Sequence, residues 1–207
     1  MPSCGPSGVF VRHELSAAGP GYSLRPVTLD DAETLVALRA RGERTRYLNA
    51  VSPDPEAQRD WLRRYFEREG DWYFAIVRND TGATEGFVGL YDLSVGAGGR
   101  EAEWGRWILR EGSLAAAASA LLVYRVAFSR LGLDALYCRT VADNAAVVSF
   151  HDRCGCRLRR VLPGAITLDG QPFDAVEHRF EAADLATLEA SLSPLATRIA
   201  GRLGAPR

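Results

Sequence analysis

Residue types able to hold an anion and to move protons are concentrated between residues 103 and 156. The run Glu103-Trp104-Gly105-Arg106-Trp107-Ile108-Leu109-Arg110 reads as a strand, and the turn Glu111-Gly112-Ser113 follows it. An alanine-rich stretch then predicts a long helix from residue 114 to residue 131. A strand that enters a helix N-terminus through small residues presents unbonded N–H groups and the positive end of a dipole, which suits a pyrophosphate. A second strand is predicted over residues 135–141, after which Asn144 opens a short helix carrying His151. Glu103 is a carboxylate that an apolar cleft would make a proton acceptor, and His151 is an imidazole that titrates near neutrality. Each has a plainer reading: Glu103 paired with Arg100 or Arg106, His151 as a hydrogen-bonded structural histidine, and the turn as an ordinary strand–helix connection.

The surrounding elements must position these groups. Residues 1–20, rich in Gly, Pro, Ser and Ala, read as a loose tail. A first strand is predicted over residues 22–28, and Thr28-Leu29-Asp30-Asp31 starts a helix with Leu35, Val36 and Leu38 on its apolar side. An arginine-rich segment with Arg39, Arg41, Arg44 and Arg46 runs into Tyr47-Leu48-Asn49. Ser52 to Glu56 opens a second helix bearing Trp61, Leu62, Tyr65 and Phe66. Strands follow over residues 72–77 and 85–93, joined by Asn79-Asp80-Thr81-Gly82. After the central segment, strands near 157–162 and 171–180 turn at Asp169-Gly170, and residues 182–203 read as a helix interrupted near Ser193-Pro194. The fold class expected is mixed α/β: one domain over residues 21–181, with a twisted central sheet of about 6–7 strands flanked by helices on both faces. A C-terminal helical extension over residues 182–207 is expected to cover the sheet or to form a dimer contact.

Composition narrows the function classes. A formal net charge of −1 offers no basic field for nucleic acid, and no apolar run is long enough to span a bilayer. Residues 1–20 carry no secretory signal pattern. Cys154-Gly155-Cys156 lacks the spacing and second pair of a zinc knuckle, so the four cysteines read as small buried thiols in a reduced, cytoplasmic setting. There is no lysine, so all 25 cationic side chains besides histidine are arginines. An anionic ligand must then be held by guanidinium forks, backbone amides or helix ends.

This order of elements, together with three blocks, resembles the GNAT superfamily of acyl-CoA-dependent N-acetyltransferases, nearest the branch of ribosomal-protein and amino-sugar N-acetyltransferases. The first block, Arg110-Glu111-Gly112-Ser113-Leu114-Ala115, matches the family's Arg/Gln-x-x-Gly-x-Gly/Ala phosphate loop but has Ser113 where the family usually has Gly. The second is Leu131-Gly132-Leu133, a strand, and Asp143-Asn144, whose Asn lies beside CoA in the family. The third, Phe150-His151-Asp152-Arg153-Cys154-Gly155-Cys156, resembles the family's (Leu/Phe)-Tyr-x-Lys-x-Gly-Phe block, with His151 at the place of a Tyr that protonates the leaving thiolate.

The resemblance implies acetyl transfer from acetyl-CoA directly to a primary amine, with CoA as product and no metal. It assigns the pyrophosphate to Arg110, Gly112, Ser113, Leu114 and Ala115, the pantetheine arm to Trp107 and Leu109, and a further contact to Asn144. Glu103 is then the candidate general base, directly or through water, with Glu101 and Asp92 as rivals, and His151 is the candidate general acid. The segment around Arg46 and Tyr47 falls where the family forms its acceptor pocket, with Tyr91, Phe87 and Asp92 on the other wall. The arginines there favour a small-molecule amine, a nucleotide-linked amino sugar above all. Alternatives are a protein N-terminus as acceptor and, in another class, a CoA-binding module without catalysis. A homodimer is compatible with all three.

Overall fold

The computed structural model describes residues 3–4, 10–40, 43–156 and 158–204. Its strands are β1 (Ser3–Cys4), β2 (Phe10–Val11), β3 (Ala17–Ala18), β4 (Tyr22–Pro26), β5 (Trp72–Arg78), β6 (Thr84–Gly96), β7 (Gly99–Leu109), β8 (Ala135–Val141), β9 (Leu158–Leu168) and β10 (Gln171–Glu181). Its helices are α1 (Ala32–Arg39), α2 (Pro55–Phe66), α3 (Ala116–Arg125), α4 (Ala145–Arg153) and α5 (Leu185–Leu203). Strands β3 to β10 form one eight-stranded sheet in the order β3-β4-β5-β6-β7-β8-β10-β9. Every neighbouring pair is antiparallel except β7 and β8.

Strand alternation builds two cores. Phe74 and Ile76 of β5 join Trp104, Leu136 and Phe180 against α3 and α5, whereas Tyr73 and Ala75 join Phe87 and Ile108 against α1 and α2. Side chains alternate faces along a strand, so an unbroken apolar run such as β5 serves both layers. Helix starts follow local chemistry: Asp54 accepts a bond from Glu56 N–H ahead of Pro55, and Thr28 forms a capping box with Asp31.

Three expectations change. Part of the supposed tail belongs to the sheet: Ala17–Ala18 pair with β4, and the His13 ring is buried 4.8 Å from that of Phe74. The open edge of β4 supplies the partner for that pairing. The C-terminal helix runs through Pro194 without a break, because Ala190 and Pro194 lie on its exposed side, where water can satisfy the carbonyl that proline leaves unbonded. The alanine-rich helix ends its α geometry at Arg125 and continues as a π-turn over Val126–Arg130, until Gly132 takes a left-handed conformation. Among the described residues, no helix is long and apolar enough to cross a membrane.

Helix α5 packs along α3, with Leu188, Leu192 and Ala196 in the core and Glu189 bonded to Arg125 at 2.6 Å. Leu188→Ala removes a fully buried side chain and is expected to destabilise the whole domain by about 2–5 kcal/mol. Chemical denaturation should show one cooperative transition at lower midpoint, not separate loss of the helix.

Candidate active site

The parallel ladder between β7 and β8 is short. Glu101, Ala102 and Glu103 pair with Ala135, Leu136 and Tyr137, and the register goes no further. Beyond it β7 stays with β6 and β8 stays with β10. A bulge accompanies the parting: Arg106 and Trp107 oppose the single residue Val88, with Arg106 at φ +49°. From residue 104 onward β7 therefore keeps a main-chain edge that β8 does not cover.

That edge leads into the turn before α3. Gly112 has φ +74° and open space around it, a conformation that a Cβ would strain. The first amide bond of the helix runs from Ser119 N–H to Ala115 C=O at 2.8 Å, so the amides of residues 116–118 point outward without helical acceptors. Leu114 is exposed and Ala115 buried at this corner. The parted strands, the open glycine and the amide fan fit a pantetheine arm followed by a pyrophosphate.

Glu85 organises the corner. Its side chain, 2% exposed, accepts from Ser113 Oγ at 2.7 Å, Tyr22 Oη at 3.0 Å and an Arg110 guanidinium nitrogen at 2.9 Å. Ser113 Oγ also accepts from Ala115 N–H at 3.2 Å. The serine thus points into the protein and fixes the turn, while Gly112 supplies the freedom. Arg110 is likewise engaged by Glu85 on one side of the site. A lone Glu at the head of a continuous apolar strand was the sequence signal for this hub.

On the α1/α2 face lies a pocket of about 590 Å³, lined by Tyr47, Tyr91, Glu103 and Gly105 among others. Tyr91 and Glu103 are cross-strand partners, and the tyrosine hydroxyl donates to Glu103 Oε1 at 3.2 Å. A Cβ on Gly105 would sit 2.3 Å from that hydroxyl, so glycine is required for the pair to meet. The expected salt bridge of Glu103 to Arg100 or Arg106 is replaced by Arg139 at 3.5 Å, because Arg106 is held bidentately by Asp71 and Arg100 bonds Leu131 C=O. Burial pushes the Glu103 carboxyl above its ordinary range, and Arg139 and Tyr91 partly oppose that rise. Of the rivals, Asp92 lines the pocket, whereas Glu101 bonds Arg179.

Arg46 does not line this pocket. Its guanidinium lies 4.5 Å from the Tyr47 ring centroid, and Tyr47 Oη donates to Asp143 C=O at 2.7 Å. The side chains of Arg41 and Arg44 lie outside the described residues, and Phe87 is core, not wall. Asn144 caps α4, accepting from Val147 N–H at 3.4 Å. Trp107 donates to Ser119 Oγ at 3.2 Å, and both it and Leu109 pack against the α3/α5 core.

Glu103 and His151 are not brought together. Neighbours on a strand face opposite ways, so Glu103 meets the pocket while Trp104 faces the α3/α5 core. His151 packs against that same Trp104, with ring centroids 4.9 Å apart, and against Trp107, Phe150 and His178. Burial, reinforced by His178, lowers its pKa to about 3, so the ring is uncharged at neutral pH and has no imidazolium proton to give. The general-acid expectation for His151 therefore has no charged imidazolium behind it in this structure. His151→Phe should retain kcat within a few-fold, whereas removal of a working general acid would cost about 10²–10⁴-fold. Steady-state kinetics on the purified variant decides between them.

No curated protein matches the chain in sequence. Among solved structures, FdhC, described as a nucleotide-linked sugar GNAT, is 28% identical with TM-score 0.72, over 87% of this chain and 99% of that one. A probable GNAT-family acetyltransferase from Chromobacterium violaceum is 19% identical with TM-score 0.72, over 84% and 89% of the two chains. The spermidine N-acetyltransferase SpeG from Vibrio cholerae is 15% identical with TM-score 0.67, over 81% and 97%. At those lower identities the likeness is one of fold. A sequence model of the acetyltransferase (GNAT) domain matches residues 23–157, which include the sheet from β4 to β8, the turn at Gly112 and α4. With that match over well over half its length, the chain belongs to the GNAT family of acetyltransferases, whose members take the acetyl group from acetyl-CoA and release CoA.

Proposed function

We propose that the chain transfers acetyl from acetyl-CoA to the primary amine of a small molecule, a nucleotide-linked amino sugar, in a reduced, cytoplasmic setting. The observation that carries this reading is the pocket beside the parted strands. It combines a buried carboxylate with raised proton affinity, three tyrosines and three arginines, Arg39, Arg106 and Arg139. A volume of about 590 Å³ suits a sugar-sized group with part of its attachment. The likeness to FdhC supports the same acceptor class. The arginines disfavour a polycationic acceptor, and the paired, desolvated Glu103 argues against a module that only binds CoA.

Acetyl-CoA supplies an acetyl group already activated as a thioester. The chain's own residues do the rest. The turn at Gly112 and the amides opening α3 hold the diphosphate, and the uncovered edge of β7 aligns the pantetheine arm between the sheet halves. Trp107, Leu109 and Phe150 provide apolar cover that excludes water. In the pocket, Glu103 takes the proton that the amine must lose as its nitrogen bonds the acetyl carbon. The carbon–sulfur bond breaks, and CoA departs as the thiolate, which takes up a proton on release. Tyr91 and Arg139 favour the carboxylate form against its burial and hold it in one orientation.

The proton acceptor must be ionised, so activity rises with pH through the Glu103 pKa and levels off above it. Glu103→Gln is expected to lower kcat/KM by about 10²–10⁴-fold. Tyr91→Phe removes a donor that favours the carboxylate form, so the acid limb of the pH profile should move to higher pH. The acceptor's own amine titration is common to wild type and variant, so a limb that stays in place would remove Glu103 from the base role.

A further inference from the structure

The three pocket arginines are not equivalent. Arg106 gives two parallel bonds to Asp71, at 2.7 and 2.9 Å. Arg139 bonds Glu177 through Nε at 2.9 Å and approaches Glu103. Each therefore arrives with its charge already balanced by a buried carboxylate. Arg39, on the last turn of α1, has no such partner among the described residues. Its guanidinium donates to the main-chain carbonyl of Asn49 at 2.9 Å, and its Nε is buried with nothing to bond. Burial and the neighbouring Arg106 both disfavour its charge, yet a guanidinium stays protonated.

A half-buried cation without a counter-ion is costly, and an unbonded buried N–H adds to that cost. Fixed on a helix and aimed into the same pocket as Glu103, such a group is completed by an oxyanion from the ligand. The fork geometry suits a phosphate better than a point charge would. The two buried aspartates Asp71 and Asp31 are engaged elsewhere, by Arg106 and by Arg25, each at 2.7 Å. Asp92, in the lining of the same pocket, is exposed and makes no ion pair with Arg39.

Resting on the proposed acceptor class, we propose that Arg39 is the residue that selects it. The guanidinium binds a phosphate of the nucleoside diphosphate, so that an amine carrying a phosphate is preferred over the same amine without one. Arg139, by contrast, tunes Glu103, and Arg106 holds Asp71.

The test is the ratio of kcat/KM for a nucleoside-diphosphate-linked amino sugar to that for the corresponding free amino sugar. It is measured for wild type, Arg39→Gln and Arg39→Lys. Loss of a charge-assisted fork should lower that ratio about tenfold to a hundredfold in Arg39→Gln, through KM, with partial recovery in Arg39→Lys. An unchanged ratio, or an equal loss on both acceptors, overturns the assignment and leaves Arg39 a structural residue. A wild type that acetylates neither sugar would sink the acceptor reading alone. Arg39 is then judged by calorimetric titration with uridine diphosphate and thymidine diphosphate. Binding that Arg39→Gln weakens tenfold or more supports the phosphate role, and absence of binding to wild type overturns it.

Discussion

Two parallel neighbours that pair over three residues and then separate set the terms for everything else in this protein. A strand edge left unpaired in a sheet interior is unfavourable unless something bonds to it. The bulge at Arg106 bends β7 away, and the turn at Gly112 carries the chain from the end of that edge into α3. One geometric event therefore produces a main-chain rail, a helix N-terminus at its end and a gap between the sheet halves. The same strand's alternation sends Glu103 into a polar pocket and Trp104 into the apolar core, so acceptor chemistry and structural packing occupy opposite sides of one segment.

Buried carboxylates keep this arrangement in register. Glu85 joins β6, β4 and the turn before α3 through Tyr22, Arg110 and Ser113. Asp71 and Glu177 neutralise Arg106 and Arg139 on the pocket side. Removing the arginine of such a pair is destabilising because a buried carboxylate stays behind without its partner, and solvent at the partly exposed guanidinium moderates that cost. The absence of lysine sharpens this design: every cation is a planar fork that can be locked by two bonds at once. Arg39, bonded to the Asn49 carbonyl, shows no carboxylate partner among the described residues, and its Nε is buried without an acceptor.

Much of the local structure was legible because its signals are local. The apolar run at residues 135–141, the cap at Asn144, the hairpin turn at residues 79–82 and the acidic start near Thr28 each carry their own instructions, and the elements form there. Ser113 departs from the family's loop in sequence, and the left-handed backbone falls on the preceding Gly112. What depends on distant contacts was not legible. Nothing near Glu103 announces Arg139, which arrives from the neighbouring strand. Nothing near His151 announces that Trp104 and Trp107 will bury it and hold it neutral. Arg46 and Arg39 look alike in sequence, but one ends stacked on Tyr47 and the other faces the pocket. Pro194 reads as a break until its exposure shows that water can take the orphaned carbonyl.

The placement of the donor in the gap between β7 and β8 is the claim on which the pocket's meaning depends. Hydrogen–deuterium exchange with and without saturating acetyl-CoA tests it most directly. Bound donor should slow exchange over residues 104–109 and 112–118, with little change in the hairpin at residues 79–82. Protection confined to other regions, or none at saturation, would contradict the account.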